Sequence, residues 1–262
     1  MIRRALNRLL SPLGLELIRP RKPNRLLESE IETKELLQLV TQAGIFEGTS
    51  SAQIHQDVIV LLATGFKTNG YFVEFGASDG IKFSNTYLLE KEYGWQGILA
   101  EPGKIWHTDL ANNRDAAVDH SCVWSSSHDT LSFTEADVAT LSTISKFSDH
   151  DHHAKTRKES TTYEVKTLSL NDLLEKHNAP RQIDYLSIDT EGSEFEILNS
   201  FNFDKYEISI ITCEHNFTRN REQIFNLLSR HGYRRKFTTL SKFDDWYFKD
   251  SVFQAVEEHG TS

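Results

Sequence analysis

Two cysteines, no uninterrupted apolar run approaching roughly 20 residues, and a shortage of positive charge beyond residue 25 mark this 262-residue chain. So few cysteines exclude a disulfide scaffold. Cys122 and Cys213 each sit beside β-branched residues in segments that read as buried strands, where reduced core thiols belong. The missing apolar run excludes a bilayer-spanning helix, because a charge or a turn residue interrupts every candidate. Nothing has the long apolar core and small-residue cleavage site of a signal peptide, so the expected compartment is the cytoplasm. The formal charge of -9 is uneven: the first 25 residues carry Arg3, Arg4, Arg8, Arg19, Arg21, Lys22 and Arg25 against Glu16 alone. The remainder is strongly acidic and repels phosphate backbones, which argues against DNA or RNA as partner.

What is present fits one α/β domain behind an extension, since 38% hydrophobic content suffices for a single full core. Residues 1–25 form a basic arm in which Ile2, Leu6, Leu9, Leu10, Leu13 and Leu17 recur at helical spacing, broken by Pro12 and Gly14. Two readings stand side by side: a helix lying on a lipid surface at the inner face of a membrane, or an arm packed on its own domain or a partner subunit. A homo-oligomer is compatible with the second. Pro20 and Pro23 then read as a linker. Residues 26–69 hold two helical patterns, Glu28 to Ala43 and Ser51 to Thr64, residues 70–250 form the domain, and residues 251–262 form a tail.

At Tyr71 the pattern changes to YFVEF, stops at Gly76-Ala77-Ser78-Asp79-Gly80, and resumes as a helix from about Ser84 to Tyr93. Strand, glycine turn and helix in that order let backbone amides approach a ligand closely, although such turns are also ordinary connectors. The spacing is Gly-x-x-x-Gly rather than the Gly-x-Gly-x-x-Gly of a dinucleotide site, and Glu74 stands inside the strand end. A pyrophosphate is repelled by that carboxylate, whereas a cationic sulfonium with an ammonium group is attracted. A second short strand ends in Glu101-Pro102, about 20 residues beyond the turn, where an acidic side chain can accept both hydroxyls of a ribose.

These residues resemble class I methyltransferases. The strings SNTYLLEKEYGWQGILAEP, IDYLSIDTEGSEFEIL and ITCEHN are similar to the FkbM family of O-methyltransferases, over roughly Tyr71 to Phe248. The resemblance implies a Rossmann-like α/β fold: a seven-stranded, mostly parallel sheet with helices on both faces, behind an N-terminal helical extension. It implies S-adenosylmethionine as cofactor and a hydroxyl on a sugar, glycan or other secondary metabolite as acceptor. Glu74, Gly76, Ser78 and Gly80 would line the methionine end of that cofactor, with Ala77 and Asn85 beside them, and Glu101 with Pro102 would hold its ribose. Ser121 and Cys122 would meet the adenine. Ser78 stands where many class I enzymes have another glycine. Asp79 either touches cofactor or caps the next helix.

The third strand is expected over Ala117 to Val123. From Ser125 to about Ser160 the chain turns polar and irregular, which suits a substrate lid or insertion. Asp149, His150, Asp151, His152 and His153 invite a metal reading, but consecutive loop residues rarely converge on one ion, and a solvated loop is the expectation. A strand over Thr162 to Thr167 precedes a short helix, Leu168 to His177, capped by Ser169 with Asp172 three residues on. Ile183 to Ile188 reads as a central strand delivering Asp189, Thr190, Glu191 and Gly192 at the edge where open α/β sheets bind ligands. Asp189 counts as both a cofactor and a catalytic candidate, and Glu191 equally as a cap for the helix near Ser193. The fifth strand, Ile208 to Cys213, delivers Glu214, His215 and Asn216. A helix over Arg219 to His231 and strands near Tyr233 to Thr238 and Asp245 to Phe248 complete the sheet.

For transfer of a methyl group from a sulfonium, acceptor oxygen, methyl carbon and sulfur must align and the hydroxyl must lose a proton. His215 is the expected base, oriented by Asp189, Glu191 or Glu214. A divalent ion such as magnesium held by Asp189 and Glu214 is the alternative to it, since a hard cation lowers a hydroxyl's pKa. Rival readings are a nucleotide-cofactor oxidoreductase, disfavoured by the missing third glycine and by Glu74, and a cofactor-binding module without turnover. A nucleic-acid methyltransferase lacks support, because neither a basic groove nor the run needed for amino transfer to bases is present.

Overall fold

The computed structural model describes residues 50–136, 143–144 and 160–254. The basic arm, the helical pattern at Glu28 to Ala43 and the histidine-rich run at 149–153 lie outside the described residues. Strands β1 (Tyr71–Phe75), β2 (Gln96–Ala100), β3 (Ala117–Asp119), β8 (Gln182–Ile188), β9 (Glu207–Glu214), β10 (Tyr233–Lys236) and β11 (Asp244–Lys249) form one seven-stranded sheet in the order β10-β11-β9-β8-β1-β2-β3. Neighbours run parallel except at the far edge, where β11 is antiparallel to both β9 and β10. The switch point lies between β1 and β8, so their carboxyl ends open the crevice in which such sheets bind ligands.

Alternation within each strand separates two cores. In β1, Phe72 joins Leu99, Tyr185, Ile210 and Trp246 against helices α1 (Gln56–Ala63), α2 (Tyr87–Tyr93) and α3 (His107–Asn113). Val73 and Phe75 join Ile98, Leu186, Ile188 and Ile211 on the other face, under α4 (Leu170–Lys176), α5 (Glu194–Asn199) and α6 (Asn220–Arg230). Helix α1, QDVIVLLA, is buried along its whole length, which explains its nearly unbroken apolar run. It begins at Gln56 rather than at Ser51, because His55 takes a left-handed conformation (φ 67). The helix after the glycine turn starts at Tyr87, three residues later than its pattern predicts. Ser169 caps α4 by accepting the Asp172 amide, as its spacing predicts.

Two expectations are corrected. The third strand is not continuous over Ala117 to Val123: β3 ends at Asp119, and β4 (Cys122–Trp124) belongs to a second sheet. Asp119 makes the break, since Oδ1 accepts the Ser121 amide at 2.9 Å while Oδ2 takes Lys176 Nζ and His177 Nε2, each at 2.8 Å. The polar stretch after Ser125 is not irregular throughout either. It contains β5 (Thr130–Ala136) and β6 (Thr143–Ile144), which join β4 and β7 (Ser160–Ser169) in the order β4-β7-β5-β6. Leu131 and Phe133 alternate with polar residues, and Phe133 faces Tyr163 across the β5–β7 ladder with Val165 and Cys122 behind.

Candidate active site

The carboxyl tips of β1 and β8 nearly touch. A Cβ built on Gly76 would lie 2.0 Å from the Asp189 carbonyl oxygen, and Gly76 has φ +73, so no side chain fits. Ser78 keeps the glycine-like path with φ 48. Its amide donates to Glu101 Oε2 at 2.9 Å, and the Gly103 amide donates to Oε1 at 2.7 Å. Burial raises the Glu101 carboxyl to about 7, with Asp189 and Glu135 adding like-charge repulsion against those two amide bonds. The second sheet leans on this corner: Tyr163 Oη accepts the Lys104 amide at 3.0 Å and lies 3.5 Å from the Pro102 carbonyl.

Glu74 is in place but not free. Its carboxylate accepts the Asn85 amide at 2.7 Å, the Ser84 hydroxyl at 2.9 Å and the Thr86 hydroxyl, with Arg114 Nη1 3.7 Å away. It anchors the segment after the glycine turn instead of offering an uncompensated charge to a ligand. Asp79 closes a turn, accepting the amides of Ile81 and Lys82, and does not cap α2. Gly80 packs on Leu110 and Arg114, and Ala77 is buried. The side-chain amide of Asn85 donates to Ser187 Oγ at 2.9 Å. Ser121 is half-buried in the bend after β3, whereas Cys122 points into the small core of the second sheet, where burial pushes its thiol up to about 12.

Asp189, Glu191 and Glu214 converge, with one carboxylate oxygen from each lying within 4.8 Å of the others. Asp189 and Glu214 are hydrogen-bonded to each other, which two carboxylates manage only by sharing a proton. Burial raises Asp189 to about 6; burial and then the Asp189 charge drive Glu214 well upward. Glu214 Oε2 is shielded from solvent and has no hydrogen-bond partner among the described residues. Glu191, held at φ 56, accepts Asn216 Nδ2 at 3.3 Å. Glu194 takes the capping role instead: its Oε1 receives the Gly192 amide at 2.9 Å and both the amide and hydroxyl of Thr190.

His215 is not brought to this cluster. Glu214 and Asp244 are register partners on the α1 face, while Cys213 and Asp245 share the opposite one. The His215 ring lies with Asp245, Nε2 being 3.8 Å from Oδ1, and its Nδ1 accepts the Phe217 amide at 3.0 Å. Burial lowers its pKa. Two participants carried no motif. Asp244, raised by burial to about 8 with the Asp189 charge pushing the same way, accepts Gln56 Nε2; the Asp-Asp pair opening an apolar strand was its one signal. Arg114, buried on α3's C-terminal side, had none.

Residues 74–235, more than half of the chain, match the Methyltransferase FkbM domain. The chain belongs to the FkbM methyltransferase family. It is therefore a methyltransferase by family, and S-adenosylmethionine is the cofactor expected of that family. The nucleotide-oxidoreductase reading is set aside. A search of curated proteins finds no match. Solved structures similar to it include a precorrin-6y C5,15-methyltransferase from Geobacter metallireducens GS-15, 8% identical over 77% of this chain and 89% of that one, with a TM-score of 0.40. The METTL16 MTase domain is 11% identical over 82% and 79%, at 0.42, and a human methyltransferase 10 domain containing protein is 10% identical over 95% and 96%, at 0.37.

Proposed function

We propose that this FkbM domain catalyses O-methylation, using S-adenosylmethionine and a hydroxyl on a sugar, glycan or other secondary metabolite. One observation carries the reading: Asp189, Glu191 and Glu214 present acceptor oxygens and shared protons, with no cation among the described residues, at the mouth of the β1–β8 crevice. Such a wall favours a positively charged ligand on one side and a hydroxyl proton donor on the other. Glu101, already ordered by two backbone amides at the tip of β2, would accept the ribose hydroxyls. The cofactor supplies an activated methyl on sulfur. The chain's part is alignment, exclusion of water, and receipt of the hydroxyl proton by the Asp189–Glu214 pair. A carboxylate raised to about 6 is a stronger base than an ordinary one. In this reading the role belongs to that pair and not to His215, whose ring lies with Asp245.

The test is a mass shift on hydroxylated acceptors incubated with protein and labelled cofactor, beside calorimetry with S-adenosylmethionine. Asp189→Asn should abolish methyl transfer; undiminished turnover would sink the assignment. Tight cofactor binding without turnover on any acceptor would favour the binding-module reading.

A second reading rests on the same three oxygens. Their spacing suits a hard divalent cation such as magnesium, and Glu214 Oε2 is the buried acceptor left for it. Asp189, Glu191 and Glu214 would hold the ion, whose charge would lower the acceptor's pKa. Full activity after exhaustive chelation would exclude it.

A further inference from the structure

Among the described residues, four large apolar side chains are exposed: Ile81 (37%), Phe83 (43%), Ile105 (57%) and Phe217 (66%). All four follow the carboxyl ends of β1, β2 and β9, Ile105 on the single 3-10 turn Lys104–Trp106, and none lies at the opposite edge of the sheet. Those ends are neighbours on one rim: β2 adjoins β1, and β9 is two strand spacings away, on the order of 10 Å. Each of the three segments also carries an exposed cation, Lys82, Lys104 and Arg219. None of the three pairs with a carboxylate among the described residues; Lys82 lies over the Phe83 ring and Lys104 over Tyr163. In a chain of net charge -9, each of these apolar tips has a cation within two residues of it, and the Glu101 carboxylate behind them is buried.

We infer that this rim docks on an anionic lipid surface, with Phe83, Ile105 and Phe217 entering the interface and Lys82, Lys104 and Arg219 meeting headgroup phosphates. Separate apolar tips on three short segments suit shallow insertion, and a cation beside each suits a negatively charged leaflet. The ligand crevice would then open toward the membrane, so an acceptor carried on a lipid could be reached without leaving it. The docking is independent of the basic N-terminal arm, and it stands or falls separately from methyl transfer because its readout is lipid binding alone.

The experiment is co-sedimentation of the full chain with vesicles of phosphatidylcholine alone or of equimolar phosphatidylcholine and phosphatidylglycerol. Wild type should pellet with the anionic vesicles. The triple variant Phe83→Ser, Ile105→Ser, Phe217→Ser should bind them about tenfold more weakly with its thermal unfolding unchanged. Lys82→Gln, Lys104→Gln, Arg219→Gln should reduce binding to the anionic vesicles to the phosphatidylcholine level. Failure of wild type to pellet, or undiminished binding by the apolar triple variant, would overturn the inference. Equal wild-type binding to both vesicle types would overturn its anionic requirement. Self-association of wild type abolished by the triple variant, without vesicle binding, would assign the rim to a second copy instead.

Discussion

Replacing Arg114 with methionine should cost about 4 kcal/mol of stability and loosen the cofactor turn. The side chain is fully buried, and its guanidinium donates to Glu90 Oε2 at 3.0 Å, the Gly80 carbonyl at 3.0 Å, Ser84 Oγ at 3.1 Å and Thr86 Oγ1 at 2.9 Å. Glu74 lies 3.7 Å away. Breaking a buried ion pair by deleting one partner costs roughly 3–5 kcal/mol, because the abandoned carboxylate keeps its desolvation penalty. Each lost hydrogen bond adds about 1 kcal/mol, less wherever neighbours relax together. Arg114→Lys keeps the charge without the fork and should lose about half as much. Urea unfolding measures both, and the double variant Arg114→Met, Glu90→Gln should recover at least ~1 kcal/mol of the loss, since it removes a buried carboxylate left with Lys91 Nζ, at 3.0 Å, as its one cation among the described residues. An Arg114→Met protein within about 1 kcal/mol of wild type would refute the account of Glu74 and Glu90 as buried charges needing this partner.

Gly76→Ala should destabilise by about 3 kcal/mol, combining a left-handed residue with a Cβ overlapping the Asp189 carbonyl, and calorimetry should show cofactor binding lost. Carboxyls raised in the fold, Asp189 to about 6, Glu101 to about 7 and Asp244 to about 8, retain protons the unfolded chain has released. Their favourable contribution is complete below the unfolded values of 3.8 to 4.5 and is lost as pH rises through the folded ones. The melting temperature of ligand-free protein should therefore fall across that window, and a flat profile would contradict the burial of these acids. His215→Ala should lower the melting temperature while leaving methyl transfer within about threefold of wild type; a loss of a hundredfold or more would restore His215 as base.

The large sheet was legible because its strands, buried on both faces, are short apolar runs closed by turn residues, as in YFVEF before Gly76 and IDYLSI before Asp189. The small sheet was not. In TLSFTEA only Leu131 and Phe133 mark the buried side, and the partner that gives them meaning, Tyr163 with Val165, lies some thirty residues on. Composition reads such a segment as loop; the pairing that makes it a strand is long-range. The break at Asp119 is of the same kind, since Lys176 and His177 supply its cause from another element.

At the site, position along the chain located the tips of β1, β2, β8 and β9 to within a residue but could not say which face each side chain takes. Glu214 and His215 are adjacent, so strand alternation sends them to opposite sides. Asp244 and Asp245 on the neighbouring strand repeat the division, one beside Gln56 and the other paired with Arg221 and Arg235. The consequence is chemical. On one face an acid meets two arginines and a neutral histidine and settles as a structural ion pair. On the other, Asp189, Glu214 and Asp244 crowd together with no cation beside them among the described residues and hold their protons to higher pH.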